Sequence, residues 1–319
     1  MIPVTQRRYL SACIMLLSIG ALLLSGCGAS TTNTGGATPT SAATSATATP
    51  SGASSTGAVN LKALPLGDGH VGSSAQVGYV YSCQTSFPGK GGSRVNGPWI
   101  TGSTWDAMTK LSVQGAVFWP KASYSVKIVG SQRILSTGDL PVHFSTGVFP
   151  IRSSDPAYAY DRNPNTITAQ QITYTLPANP TVAASPSCVN MGPIGVLSDG
   201  VALFNALDAA GRDAVAHEVL DSCGGHPQMN GMYHHHDIPP CLLATAKGTS
   251  TLVGYARDGF GIYVERDANG NMLTNADLDA CHGRVSTILW DGHTVSMFHY
   301  VATAEYPYTV GCYMGTPVN

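Results

Sequence analysis

The chain has 319 residues and a formal net charge of −2, and only 11% of it is Asp, Glu, Lys or Arg, under half of the ~25% usual in soluble domains. So few cations cannot build the basic face that nucleic acid requires, which argues against DNA or RNA as a partner. The 36 Gly and 14 Tyr point to a β protein with many turns.

Taken in chain order, the first segment is an export signal. Arg7 and Arg8 form a positive n-region, and residues 14–24 form an apolar h-region broken only by Ser18 and Gly20. That stretch is about half of the ~20 residues a spanning helix needs. Leu24-Ser25-Gly26-Cys27 resembles the lipobox of bacterial lipoproteins. The resemblance implies removal of residues 1–26, lipidation of Cys27 and a protein held to a membrane of the cell envelope, facing outside the cytoplasm. Residues 28–57 are almost wholly Ser, Thr, Ala and Gly. They cannot bury enough apolar surface to offset their ordering entropy, so 27–57 reads as a lipidated Cys followed by a disordered tether.

The remainder predicts an α+β protein that is mostly β, with a β-rich N-terminal region over 58–190 and a second domain over 191–319. Val77-Gly78-Tyr79-Val80-Tyr81, residues 124–129 and Thr166-Ile167-Thr168 read as strands of a β-sandwich-like body. A hairpin follows over 194–204, turning at Asp199-Gly200, where both central residues would take positive φ. Residues 209–220 read as one short helix, with Asp208 as its N-cap and Gly224-Gly225 as its stop.

This hairpin has a counterpart over 253–263, turning at Asp258-Gly259. Downstream, Asp221-Ser222-Cys223 recurs as Asp279-Ala280-Cys281, Tyr233-His234 as Phe298-His299, and Cys241 as Cys312. A duplicated hairpin-Cys-His unit accounts for this shared order. Cys83, Cys188, Cys223, Cys241, Cys281 and Cys312 form an even set in an exported chain, which predicts three disulfides. If each copy closes its own bridge, the pairs are Cys223 to Cys241 and Cys281 to Cys312, with Cys83 to Cys188 by elimination.

Chemistry is concentrated in Gly225-His226-Pro227 and Tyr233-His234-His235-His236. At strand period two, His234 and His236 share a face while Tyr233 and His235 point away. Two imidazoles on one face suit a transition metal, copper or zinc, with His226, His282 and His299 as further candidates. If the copies meet at a seam, His299 would join His226, His234 and His236 there. Asp199 and Asp258 belong to the turns. Three other motifs carry less. His217-Glu218-Val219-Leu220-Asp221 approximates a helical zinc-protease motif, but a solvated helix face is the commoner meaning of such a run. Gly67-Asp68-Gly69-His70-Val71-Gly72 fits a dinucleotide fingerprint by letters but lacks a preceding strand. Asp267-Ala268-Asn269-Gly270-Asn271 reads better as a hairpin turn than as a calcium loop. There is no Gly-x-Ser-x-Gly elbow and no phosphate-binding loop.

The order Gly224-Gly225-His226, Tyr233 to His236, Cys241-Leu242, then the blocks at 254–263, 279–283 and 299–312 resembles the YHYH domain family. The resemblance covers about 191–316, with His235 and Phe298 standing where that family has Tyr. It implies an exported domain and assigns no reaction. Three functions follow from the residues. The leading one is transition-metal binding. The second is an adhesion or glycan-binding module that stacks ligands on Trp99, Trp105, Trp119 and Trp290. The third is a metal-dependent cell-envelope enzyme with an open coordination position.

Overall fold

Near-continuous apolar runs in the second half of the chain build strands that are buried on both faces. The computed structural model describes residues 58–89 and 93–318; the export signal, Cys27 and the tether lie outside the described residues. Eight of its strands form one mixed sheet. They are β1 (Pro193–Leu197), β2 (Ala202–Phe204), β3 (Gly225–Pro227), β4 (Tyr233–His235), β5 (Ser250–Ala256), β6 (Gly261–Glu265), β7 (Gly283–Trp290) and β8 (His293–Ala302). Every residue of β2 and β6 is buried, whereas the edge strand β7 alternates.

The spatial order is β3-β4-β2-β1-β5-β6-β8-β7, and it displays the duplication directly. The first strands of the two copies, β1 and β5, pair antiparallel at the centre, with Val196 opposite Tyr255. Outward from there, β4 runs parallel to β2 with His235 opposite Leu203, and β8 runs parallel to β6 with Tyr300 opposite Ile262. The edge strands β3 and β7 then pair antiparallel, placing Gly225 opposite His235 and Gly283 opposite Tyr300. His235 therefore corresponds to Tyr300, and His234 to His299.

Both Asp-Gly turns form, but not with two positive-φ residues. Only Gly200 (φ 87°) and Gly259 (φ 92°) enter the left-handed region. The Gly200 amide closes the turn on the Leu197 carbonyl at 3.0 Å, as in a three-residue loop that ends on a left-handed Gly. Asp199 instead accepts from the Val201 amide at 3.1 Å, and Asp258 from the Phe260 amide at 3.3 Å. The helix is also shorter than expected. It is α1 (Ala214–His217), capped by Asp213, because Asp208 spends its carboxylate on the Ala210 and Arg212 amides and the Arg212 guanidinium. A second four-residue helix, α2 (Pro240–Leu243), follows β4.

The N-terminal region is not a sandwich. Its strands are mostly two-residue pieces, and Thr166-Ile167-Thr168 is not a strand. The exception is a three-stranded sheet of Tyr124–Val129, Gln132–Thr137 and Ile172–Pro177. Such small sheets cannot enclose a core alone. Their apolar residues cover the eight-stranded sheet instead. Leu64, Trp99, Trp105 and Val113 cluster with Ile262 and Val264 of β6, while Leu135 and Leu176 cluster with Tyr263. Since Tyr263 points opposite to its two neighbours, the sheet is covered on both faces. The three disulfides are Cys83–Cys188, Cys223–Cys241 and Cys281–Cys312, one within each copy and one tying the N-terminal region to the chain just before β1.

Candidate metal centre

Strand alternation along β4 divides four consecutive polar or aromatic residues between two environments. On one side the Tyr233 hydroxyl donates to Asp221 at 2.9 Å. His235 places Nε2 3.1 Å from Asp199 Oδ2 and Nδ1 2.9 Å from the Gly224 carbonyl. A carbonyl only accepts, so His235 Nδ1 carries a proton. Burial works against a charge on this ring, but the Asp199 carboxylate outweighs it and raises the His235 pKa. His235 lies on the face opposite His234 and His236, bonded within the core, as the period-two reading placed it.

On the other side His226, His234 and His236 offer ring nitrogens that all lie within 4.8 Å of one another, and all three rings are buried. Antiparallel pairing sets His226 of β3 directly opposite His234 of β4. The His234 ring stacks on Phe204 at 3.9 Å between centroids. The His236 Nδ1 faces the Asn205 carbonyl at 2.6 Å, which fixes the proton on Nδ1 and leaves the Nε2 lone pair free, the arrangement expected behind a metal-ligating imidazole. The His234 Nδ1 faces the Met232 carbonyl at 3.4 Å. Burial pushes His226 down to about 4 and His234 well below its ordinary value. At neutral pH both rings are uncharged, the state in which imidazole binds a metal.

Glu218 was not singled out as a ligand from sequence. It is 6% exposed, and its Oε2 lies 3.3 Å from His226 Nε2 and 3.4 Å from His236 Nε2. Burial opposes its ionisation, but His226, His236 and Lys110 together hold the carboxyl below its usual range. The available signal was a lone acid between the apolar Ala216 and Val219 in a chain poor in charge. The protease-like motif around it dissolves, because α1 ends at His217 and Glu218 is extended. His217 pairs with Asp68 at 2.9 Å, and Asp221 serves Tyr233. The triad and Glu218 line a cleft of about 1060 Å³, whose walls include Asn163, Arg162 and Met191.

His299 does not join this group. The pseudo-symmetry that makes it the counterpart of His234 also puts it five inter-strand steps away, about 24 Å at the usual strand spacing. Its Nε2 lies 3.2 Å from Glu265 Oε1, beside Ser286, whose hydroxyl donates to the same oxygen at 3.2 Å. His282 is buried and lies 3.1 Å from the Thr303 hydroxyl. The four tryptophans do not form an exposed stacking strip: Trp99, Trp105 and Trp290 are 3–5% exposed, and Trp119 is half-buried with its indole N–H on Thr146. No helix among the described residues is long and apolar enough to cross a membrane.

A duplicated β-sheet protein with a buried histidine triad in its first copy is the class that fold and site define. Residues 173–272 match the family described as YHYH protein, so the chain carries a YHYH domain. The match takes in the whole first copy and the first hairpin of the second. No curated protein and no solved structure matches the chain.

Proposed function

We propose that this is a lipid-anchored, extracytoplasmic protein that binds one transition-metal ion, copper or zinc, through His226, His234 and His236. The observation that carries the metal reading is the convergence of three buried imidazoles whose ring nitrogens lie within 4.8 Å, with His236 held in its ligating tautomer by the Asn205 carbonyl. Three buried imidazoles with nothing to bind would be a costly way to fill a core. The exported address rests on the signal and lipobox-like tetrad at Cys27, and three disulfides agree with an oxidising compartment.

Elemental analysis of the full chain, purified without a polyhistidine tag, should find about one equivalent of copper or zinc. The double variant His234→Ala, His236→Ala should lose it. Absence of metal after loading and dialysis of the wild type would sink the reading. Cys27→Ser should abolish incorporation of a labelled fatty acid and release the protein from the membrane; unchanged labelling would refute the anchor. A metal-dependent enzyme is a second reading, favoured only by the cleft of about 1060 Å³ that opens on the triad.

A further inference from the structure

Glu218 presents a problem that the three histidines alone do not solve. Its Oε2 is buried and has no partner in hydrogen-bonding geometry, which is expensive for a carboxylate oxygen. It nevertheless lies 3.3 Å and 3.4 Å from two imidazole nitrogens, and those nitrogens are 3.4 Å from each other. Three polar atoms thus sit at nearly equal separations without hydrogen-bonding geometry from the carboxylate to either ring. That pattern arises when lone pairs aim at a common point rather than at one another.

The separations identify that point. A tetrahedral ion with metal-ligand bonds of about 2.0–2.1 Å has its donors about 3.3–3.4 Å apart along every edge. The three distances among Glu218 Oε2, His226 Nε2 and His236 Nε2 match the edges of one such face, and a His234 ring nitrogen lies within 4.8 Å of those of the other two imidazoles.

We propose, building on the metal-binding reading above, that Glu218 is a fourth protein ligand through Oε2, adding one carboxylate to the three imidazoles in a site for a divalent ion. The donor set selects zinc over monovalent copper. It pairs borderline imidazoles with a hard carboxylate and has no sulfur, since all six cysteines of the described residues are in disulfides. The cleft is then the route by which the ion enters and leaves.

The test uses the full chain loaded with zinc, and with cobalt(II) as a spectroscopic stand-in. Glu218→Gln should weaken zinc binding by about 100-fold or more, at or beyond the top of the range seen on removing a partner outside the ligand shell. The intense visible absorption of four-coordinate cobalt should fall or shift in the same variant. Should Glu218→Gln fail to fold, Glu218→Asp keeps the charge but withdraws the oxygen, and a folded, weakly binding Glu218→Asp supports the proposal. Zinc affinity and a cobalt spectrum unchanged in Glu218→Gln would overturn the role of Glu218 and leave the triad reading standing. Absence of metal in the wild type would remove both.

Discussion

The two copies of the repeat share a backbone and differ in what they do with it. Each has an Asp at its turn, and each Asp meets the residue two strands outward: His235 on Asp199, and the Tyr300 hydroxyl on Asp258 at 2.6 Å. Each has a disulfide at matching positions. The face that holds the triad in the first copy is different in the second. By strand register, Arg284 stands opposite His299 where His226 stands opposite His234, and Val301 occupies the place of His236. The lone His299 is covered by Glu265, whose other oxygen lies 3.6 Å from Arg284 Nε. One sheet thus carries a set of convergent donors in one half and, in the other, a single buried carboxylate shared by His299 and Arg284. The scaffold supplies the positions, and three side chains decide whether they could hold a metal ion.

The comparison breaks most completely if the metal belongs to the wrong copy. His234→Ala should abolish metal binding, and His299→Ala should leave metal content unchanged; equal losses in parallel elemental analyses would mean that the copies share a site after all. The next effect tests their structural equivalence. Removing Cys281–Cys312 or Cys223–Cys241 as paired alanines should destabilise the protein by about 3–4 kcal/mol each, because the closed loops, spanning 31 and 18 positions, differ little in closure entropy. Chemical denaturation would show a large disparity if one copy dominated stability.

The third prediction concerns pH. Asp139 is fully buried, accepts from the Ala202 amide of β2 at 2.9 Å, and has its pKa raised to about 7, chiefly by burial. The folded state therefore binds this proton more tightly than the unfolded chain. The contribution is fully present below about pH 4 and is lost as pH rises towards 7, by a few kcal/mol. Asp139→Asn should flatten the stability profile in that window; an unchanged slope would show that the carboxyl titrates normally. Smallest of all, Glu265→Gln in the second copy should cost about 1.5–3 kcal/mol, the usual worth of hydrogen bonds to a buried charged group. Loss of several kcal/mol on thermal unfolding would place Glu265 in a role as central as that of Glu218.

Much of the site was legible because strand alternation is a local rule. His234 and His236 fall on one face and His235 on the other in any strand through these residues, whatever surrounds it. The duplication was legible for a similar reason, since turn, Cys and His recur in one order, and the disulfide pairs followed from it. Glu218 was hidden by its neighbours. His217 and Asp221 completed a helical motif, and only the end of α1 at His217 and the separate partners of His217 and Asp221 released Glu218 towards the triad. The N-terminal region gave little because strands of two residues carry no period to read.

From sequence alone come the repeat, the hairpins, the six-cysteine framework and the two faces of the Tyr233 to His236 strand, because each depends on spacing along the chain. Tertiary structure decided what spacing cannot express. It set His299 five strands away from His234 by ordering the two copies outward from a shared centre. It folded the tryptophans into the core against the sheet, and it brought Glu218 from beyond a helix end to the triad. Metal ligation depends on distances of a few ångströms between residues from different elements, and packing of the whole sheet sets those distances.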